Sequence, residues 1–194
     1  MRQQARGLQL IACLAICGCS VDLGHGPLVS PDRVQSGTVA TYWRAGGQDF
    51  KLVGRAGPPF PLGLVLPGAD IEIDGDGNER VGMQVRDALK LAGYTVTIVN
   101  RQLPVEGPVL DYRVTRFWFG NPTYVPIAGK IELVADLVAP DNVVRWSRQF
   151  SGSGLTFNFW DGFSTAASGA ITEIANDMVR EFSGEEFRRA VAQY

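Results

Sequence analysis

All three cysteines of this 194-residue chain, Cys13, Cys17 and Cys19, fall within its first 19 positions, and none follows. Whatever folds beyond Cys19 is therefore held without disulfides and without a cysteine-ligated metal. It must be held by a packed core. With 45% hydrophobic residues the chain has enough apolar material for one domain of ordinary size. The single histidine, His25, lies in a Gly-rich stretch, which leaves no histidine metal cluster and no partner for a Ser-His-Asp triad.

The cysteine-bearing end has the layout of an export signal. Arg2 and Arg6 precede the apolar run Leu8 to Ile16, with no acidic residue among them. A basic start followed by nine mostly apolar residues matches a secretory signal and is too short to span a bilayer, which takes roughly 20. Small residues ahead of a cysteine mark a lipoprotein signal. Ala12 before Cys13 leaves almost no apolar run, and bulky Ile16 precedes Cys17. Ile16-Cys17-Gly18-Cys19 keeps the full run and puts small Gly18 before the cysteine, so Cys19 is the expected lipidation site and Cys17 the second choice. Several acyl chains on one cysteine anchor a protein durably, since each buried methylene contributes about 0.8 kcal/mol. Ser20, rather than Asp, follows Cys19, which by the enterobacterial sorting rule points to the outer membrane, facing the periplasm.

Removing residues 1–18 takes away two arginines and no acid, leaving 16 basic groups against 20 acidic ones. A mildly acidic chain without a basic block has no electrostatic footprint for nucleic acid. The expected partners are a membrane, through the anchor, and another envelope protein.

Three segments are expected: a signal peptide over 1–18, an anchor and Gly/Pro-rich tether over 19–60, and a periplasmic domain over 61–194. Within the tether, Thr38–Trp43 and Phe50–Val53 read as short strands. From Leu62 the patterning sharpens. Leu62–Leu66 suits an inner strand and Asp70–Glu79 an acidic loop. Val81, Val85, Ala88, Leu89 and Ala92 recur at helical spacing, with Gly93 where a helix-ending glycine belongs. Tyr94–Val99 and Val109–Phe119 read as strands. Ile131, Leu133, Ala135 and Leu137 alternate with Lys130, Glu132, Val134 and Asp136, as on a sheet covered on one face. After a turn at Pro140–Asn142, Val144, Trp146 and Phe150 are expected inward. Phe163, Ala167, Ala170, Ile171, Ile174, Met178 and Phe182 form the stripe of a long helix, and a short one follows Gly184. The order predicts an α+β fold, with a mostly antiparallel sheet of about four to five strands and two helices on one face.

The order of these elements resembles the YajG-like lipoproteins of Gram-negative envelopes over residues 62–192. The matching stretches are Val81–Tyr94, Asp111–Trp118, Gly129–Leu133, Arg145–Gly152 and Ala166–Phe182 with Glu186-Phe187. The resemblance implies a lipid-anchored domain facing the periplasm, with no catalytic residues to carry over. It touches as well on the auxiliary lipoproteins of envelope lipid-transport ABC systems, the second reading.

Asp70, Glu72, Asp74, Asp76, Asn78 and Glu79 cluster oxygen ligands, yet in either EF-hand register a valine, Val85 or Val81, takes the place of the bidentate Glu. An acidic turn at a helix start accounts for them. Gly152-Ser153-Gly154 lacks the lysine of a phosphate loop. No cofactor and no enzymatic activity are expected. The aromatic residues Phe117, Trp118, Phe119, Tyr124, Phe157, Phe159, Trp160 and Phe163 are denser than a small sheet needs. They read either as a second small core or as an exposed surface for a partner or lipid. On alternation Trp118 opposes Phe117 and Phe119. Arg113, Arg116, Phe117, Trp118, Phe119, Phe159 and Trp160 are the candidate surface.

Overall fold

The computed structural model describes residues 19–21, 28–31, 35–43, 52–56, 69–73, 77–99, 106–120, 127–157 and 162–193. Three long strands form the centre. β6 (Val109–Gly120) and β7 (Ile127–Val138) pair antiparallel, as do β7 and β8 (Val144–Thr156). On β7 burial alternates through Ile127, Ile131, Leu133, Ala135 and Leu137, as the period-two pattern predicts. The opposite edge of β6 is shared by two shorter strands, both parallel to it. β2 (Thr38–Trp43) lies beside its first half, and β3 (Leu52–Ala56) beside its end. β5 (Thr95–Ile98) flanks β2, while β4 (Ala69–Ile73) and then β1 (Cys19–Val21) extend the sheet beyond β3.

Three helices among the described residues pack on one face: α1 (Gly77–Leu91), α2 (Gly162–Phe182) and α3 (Glu185–Val191). In α1 the helical-period residues Val81, Val85, Ala88 and Leu89 are all buried. Gly93, at φ 101°, ends the helix, and the Tyr94 N–H turns back to the Leu89 carbonyl at 3.0 Å. α2 buries Ala167, Ala170, Ile171, Ile174, Met178 and Phe182, with Phe163 half-buried at its start. It approaches β8 so closely that a Cβ on Gly152 or Gly154 would run into the carbonyl oxygens of Ala170 and Ala166. The fold is α+β, mostly antiparallel, with its helices on one face.

Three expectations change. The sheet has eight strands among the described residues, more than four to five, because the Gly/Pro-rich stretch over 19–60 supplies β1, β2 and β3. Thr38-Val39-Ala40-Thr41-Tyr42-Trp43 is β-branched and aromatic enough to compete for a central position, and Val39 is fully buried. Neighbouring residues are tied in as well. The Val29 N–H donates to Asn176 Oδ1 at 2.8 Å, and the Gln35 N–H to the Ala92 carbonyl at 2.7 Å. The folded unit therefore reaches well before residue 61. The acidic stretch 70–79 is not one loop: β4 takes its start and α1 its end, and Asp74 and Asp76 lie outside the described residues. Val144 is exposed, not inward, because a register shift opposite Leu137 and Val138 resets the alternation ahead of Trp146. Leu62–Leu66, His25, Cys13 and Cys17 lie outside the described residues.

Candidate functional site

One row of register partners crosses six strands. Cys19 on β1 pairs with Ile71 on β4, Ile71 with Gly54 on β3, and Gly54 with Phe119 on β6. Phe119 in turn pairs with Gly129 on β7, and Gly129 with Gly154 on β8. The candidate anchor residue is thus an in-register member of the sheet, three strand spacings of about 4.8 Å, or roughly 15 Å, from Phe119.

Of the candidate surface residues, the structure brings three together on the face that the helices leave open. A bulge in β6 between Val114 and Arg116 puts Thr115 and Arg116 outward in succession and re-phases the strand. Arg113, Arg116 and Trp118 then share the open face, Arg113 half-buried, Arg116 exposed and Trp118 36% exposed. Phe117 and Phe119 are withdrawn from the candidate set. Both are fully buried, edge-to-face at 5.1 Å, beneath the helices. They belong to the core because alternation gives them the covered side of the strand that exposes Trp118. Phe159, Trp160 and Tyr124 lie outside the described residues.

The open face is graded in charge. Along its rows, Trp118 pairs with Lys130 and Ser153, Arg116 with Glu132 and Ser151, and Arg113 with Val134 and Gln149. Lys130 reaches Glu132 at 2.6 Å, and this hydrogen bond, aided by Arg116, holds the Glu132 carboxyl below the usual carboxylate range. On β6, β7 and β8 this half carries Arg113, Arg116 and Lys130 and the one carboxylate of Glu132. Towards the far end the row becomes acidic: Asp111 opposite Asp136, which accepts from Ser147 at 2.6 Å. Asp141 at the β7–β8 turn binds Arg145 at 2.7 Å.

On β6, β7 and β8 the other end of the same face carries small and apolar residues. Gly120, Ala128 and Leu155 form its next row, which continues through Arg55 on β3 to Asp70 on β4. Leu155 is 60% exposed, and Phe157, just past the end of β8, is 70% exposed. Leu155 was missed by the aromatic criterion. Its odd position, in step with Ser151 and Ser153, is the signal that finds it.

A second aromatic group lies on the helix side, at the opposite end. Trp146 is edge-on to Phe187 at 4.8 Å and near Phe150 and Phe182, while Tyr94 meets Phe187 at 5.4 Å. All are buried. Tyr94 Oη and Trp146 Nε1 have no hydrogen-bond partner among the described residues, and burial pushes the Tyr94 hydroxyl up to about 12, with Arg188 pulling weakly the other way. An open cleft of about 490 Å³ separates Val29–Pro31 from the end of α2, where the Gln35 side chain donates to the Ser183 carbonyl at 3.0 Å. Among its described lining residues the one charged group, Arg180, is held by Asp177. Among the described residues no three His, Cys, Asp or Glu side chains converge on a metal-sized space. Ser153 is engaged structurally, its N–H and hydroxyl both donating to Glu173 at 2.6 and 3.0 Å over the free edge of β8.

No family model and no curated protein sequence matches the chain. Solved structures do. A PelC dodecamer from Paraburkholderia phytofirmans gives a TM-score of 0.41 at 11% identity, over 81% of this chain and 94% of that one. Lipoprotein GNA1162 from Neisseria meningitidis gives 0.36 at 16% identity, over 62% and 85%. Both are too distant in shape to support an argument. Protein XCC0632 from Xanthomonas campestris, of the DUF330 family, gives 0.63 at 17% identity over 91% of this chain and all of that one. In fold, and in fold alone, this chain is like XCC0632 along nearly its whole length.

Proposed function

We propose that this chain is an exported bacterial envelope lipoprotein that acts by binding rather than by turnover. Residues 1–18 are a signal peptide, and Cys19 carries the lipid. The observation that carries the reading is the sequence of the N-terminus: Arg2 and Arg6, a nine-residue apolar run, then Gly18-Cys19. Ser20 after the cysteine directs it to the outer membrane, with the domain facing the periplasm. The resemblance in element order to YajG-like lipoproteins agrees with this reading. A binding role is supported by how the polar groups are used. Ser153 serves a strand edge, Asp136 a cross-strand hydrogen bond, and Arg148 two helix glutamates. The working surface is the open sheet face, where Arg116 and Trp118 are exposed, Arg113 is half-buried, and exposed Leu155 adds apolar area of the kind that marks interaction sites.

The test is intact mass and membrane fractionation of the wild type beside Cys19→Ala and Cys17→Ala. Acylation and membrane retention are expected to vanish with Cys19→Ala and to survive Cys17→Ala. Retained acylation in Cys19→Ala would sink the assignment.

A further inference from the structure

Several features of the open face converge at one end. β1 runs parallel to β4, and Cys19 is its first residue, so the chain enters the sheet at the end where β6 finishes and β7 begins. Trp118, Leu155 and Phe157 are exposed at that same end, where Gly120 pairs with Ala128. Arg113, Arg116 and Lys130 follow directly behind, with Glu132 the one carboxylate among them on β6, β7 and β8, while Asp111, Asp136 and the Arg145-paired Asp141 lie at the far end; Arg55 and Asp70 continue the Gly120 row on β3 and β4.

We infer that this end of the sheet docks directly on an anionic lipid surface, with Trp118, Leu155 and Phe157 at the headgroup boundary and Arg113, Arg116 and Lys130 facing the phosphates. The inference rests on lipidation at Cys19. Given that anchor, the acyl chains leave from a residue already paired in the sheet, so no slack intervenes between lipid and fold. A cysteine fixed roughly 15 Å from Phe119 brings the neighbouring exposed ring within reach of the bilayer boundary. Indole rings favour that boundary because one side is apolar and the N–H wet. Lysine and arginine stems lie along apolar surface while their charged heads reach outward. A soluble protein partner on this patch would need complementary acids instead; the chemistry at hand, rings ahead of cations, fits phospholipid headgroups.

The experiment uses the processed, lipidated protein in vesicles of phosphatidylethanolamine and phosphatidylglycerol. Acylation consumes the Cys19 thiol and no cysteine follows it, so Leu155→Cys or Val143→Cys supplies the single labelling site. Val143 is the control, exposed at the opposite end of the sheet. A fluorophore at residue 155 should be quenched by doxyl-labelled lipid at least threefold more than one at residue 143. Acylated protein in which both labels are quenched equally, or residue 143 more, overturns the docking while leaving the anchor intact. Protein whose mass shows no acyl group at Cys19 overturns the lipoprotein reading and this inference together.

Discussion

Gly154 shows how much of this fold turns on single atoms. α2 lies across β8 with the Ala166 carbonyl where a side chain at Gly154 would begin, so Gly154→Ala must lift the helix from the strand. Overpacking against backbone has no soft response, and a loss of roughly 3 kcal/mol is expected in urea unfolding. Gly107→Ala is the comparison. No described residue lies within 4 Å of the added Cβ, and its φ of 104° is what resists, so about 1 kcal/mol is expected. Tyr94 carries a different cost. Its hydroxyl is buried without a partner among the described residues, and its ionisation is displaced from 10 to about 12 by burial. The unfolded chain ionises first as pH rises. Stability linked to this hydroxyl is therefore complete below pH 10 and is lost as pH climbs towards 12. Tyr94→Phe should flatten that part of a stability–pH profile and leave neutral-pH stability unchanged or raised by up to about 1 kcal/mol. A steeper alkaline loss in the variant would contradict the assignment. Neither residue could be singled out from the sequence. What demands a glycine at position 154 is a helix placed by residues elsewhere.

At the level of elements, legibility followed regular patterning. β7, α1 and α2 are where their periodicity puts them, and Asn142, at φ 63°, makes the turn that Pro140-Asp141-Asn142 announces. The departures come from insertions and from partners distant in sequence. The bulge at Val114–Arg116 is invisible to a strict alternation, yet it decides that Arg116 joins Arg113 and Trp118. β2 has only six residues, and its central position depends on β5 and β6, more than 50 residues on. α3 is the element whose attachment is easiest to test. Seven residues do not hold a helix in water unaided. Phe187, fully buried among Tyr94, Trp146 and Phe182, fastens it, and Arg148 joins Glu181 of α2 to Glu186 of α3 at 3.0 and 2.8 Å. Phe187→Ala should cost about 3–5 kcal/mol. Arg148→Ala, whose ion pairs are exposed, should cost no more than about 1 kcal/mol, and less in high salt. Comparable losses for the two variants would show that charge, not packing, seats the helix.

Across the whole molecule, the proposed anchor end is argued from residues alone, and its geometry was illegible in them. Charge, apolar run and cysteine single out Cys19 without any fold. The pairing of β1 with β4, and through β3 with Phe119, is a long-range matter that composition obscures, since Gly- and Pro-rich surroundings suggest a loose spacer. β6 receives β2 and β3 along a single edge, and neither has that neighbour until residues 109–120 are present. For a polypeptide threaded out of the cytoplasm head first, the earliest segments to emerge must wait for the latest to give them somewhere to settle. Grease would then be fitted to a still-unstructured leader, and the body would assemble afterwards, already moored.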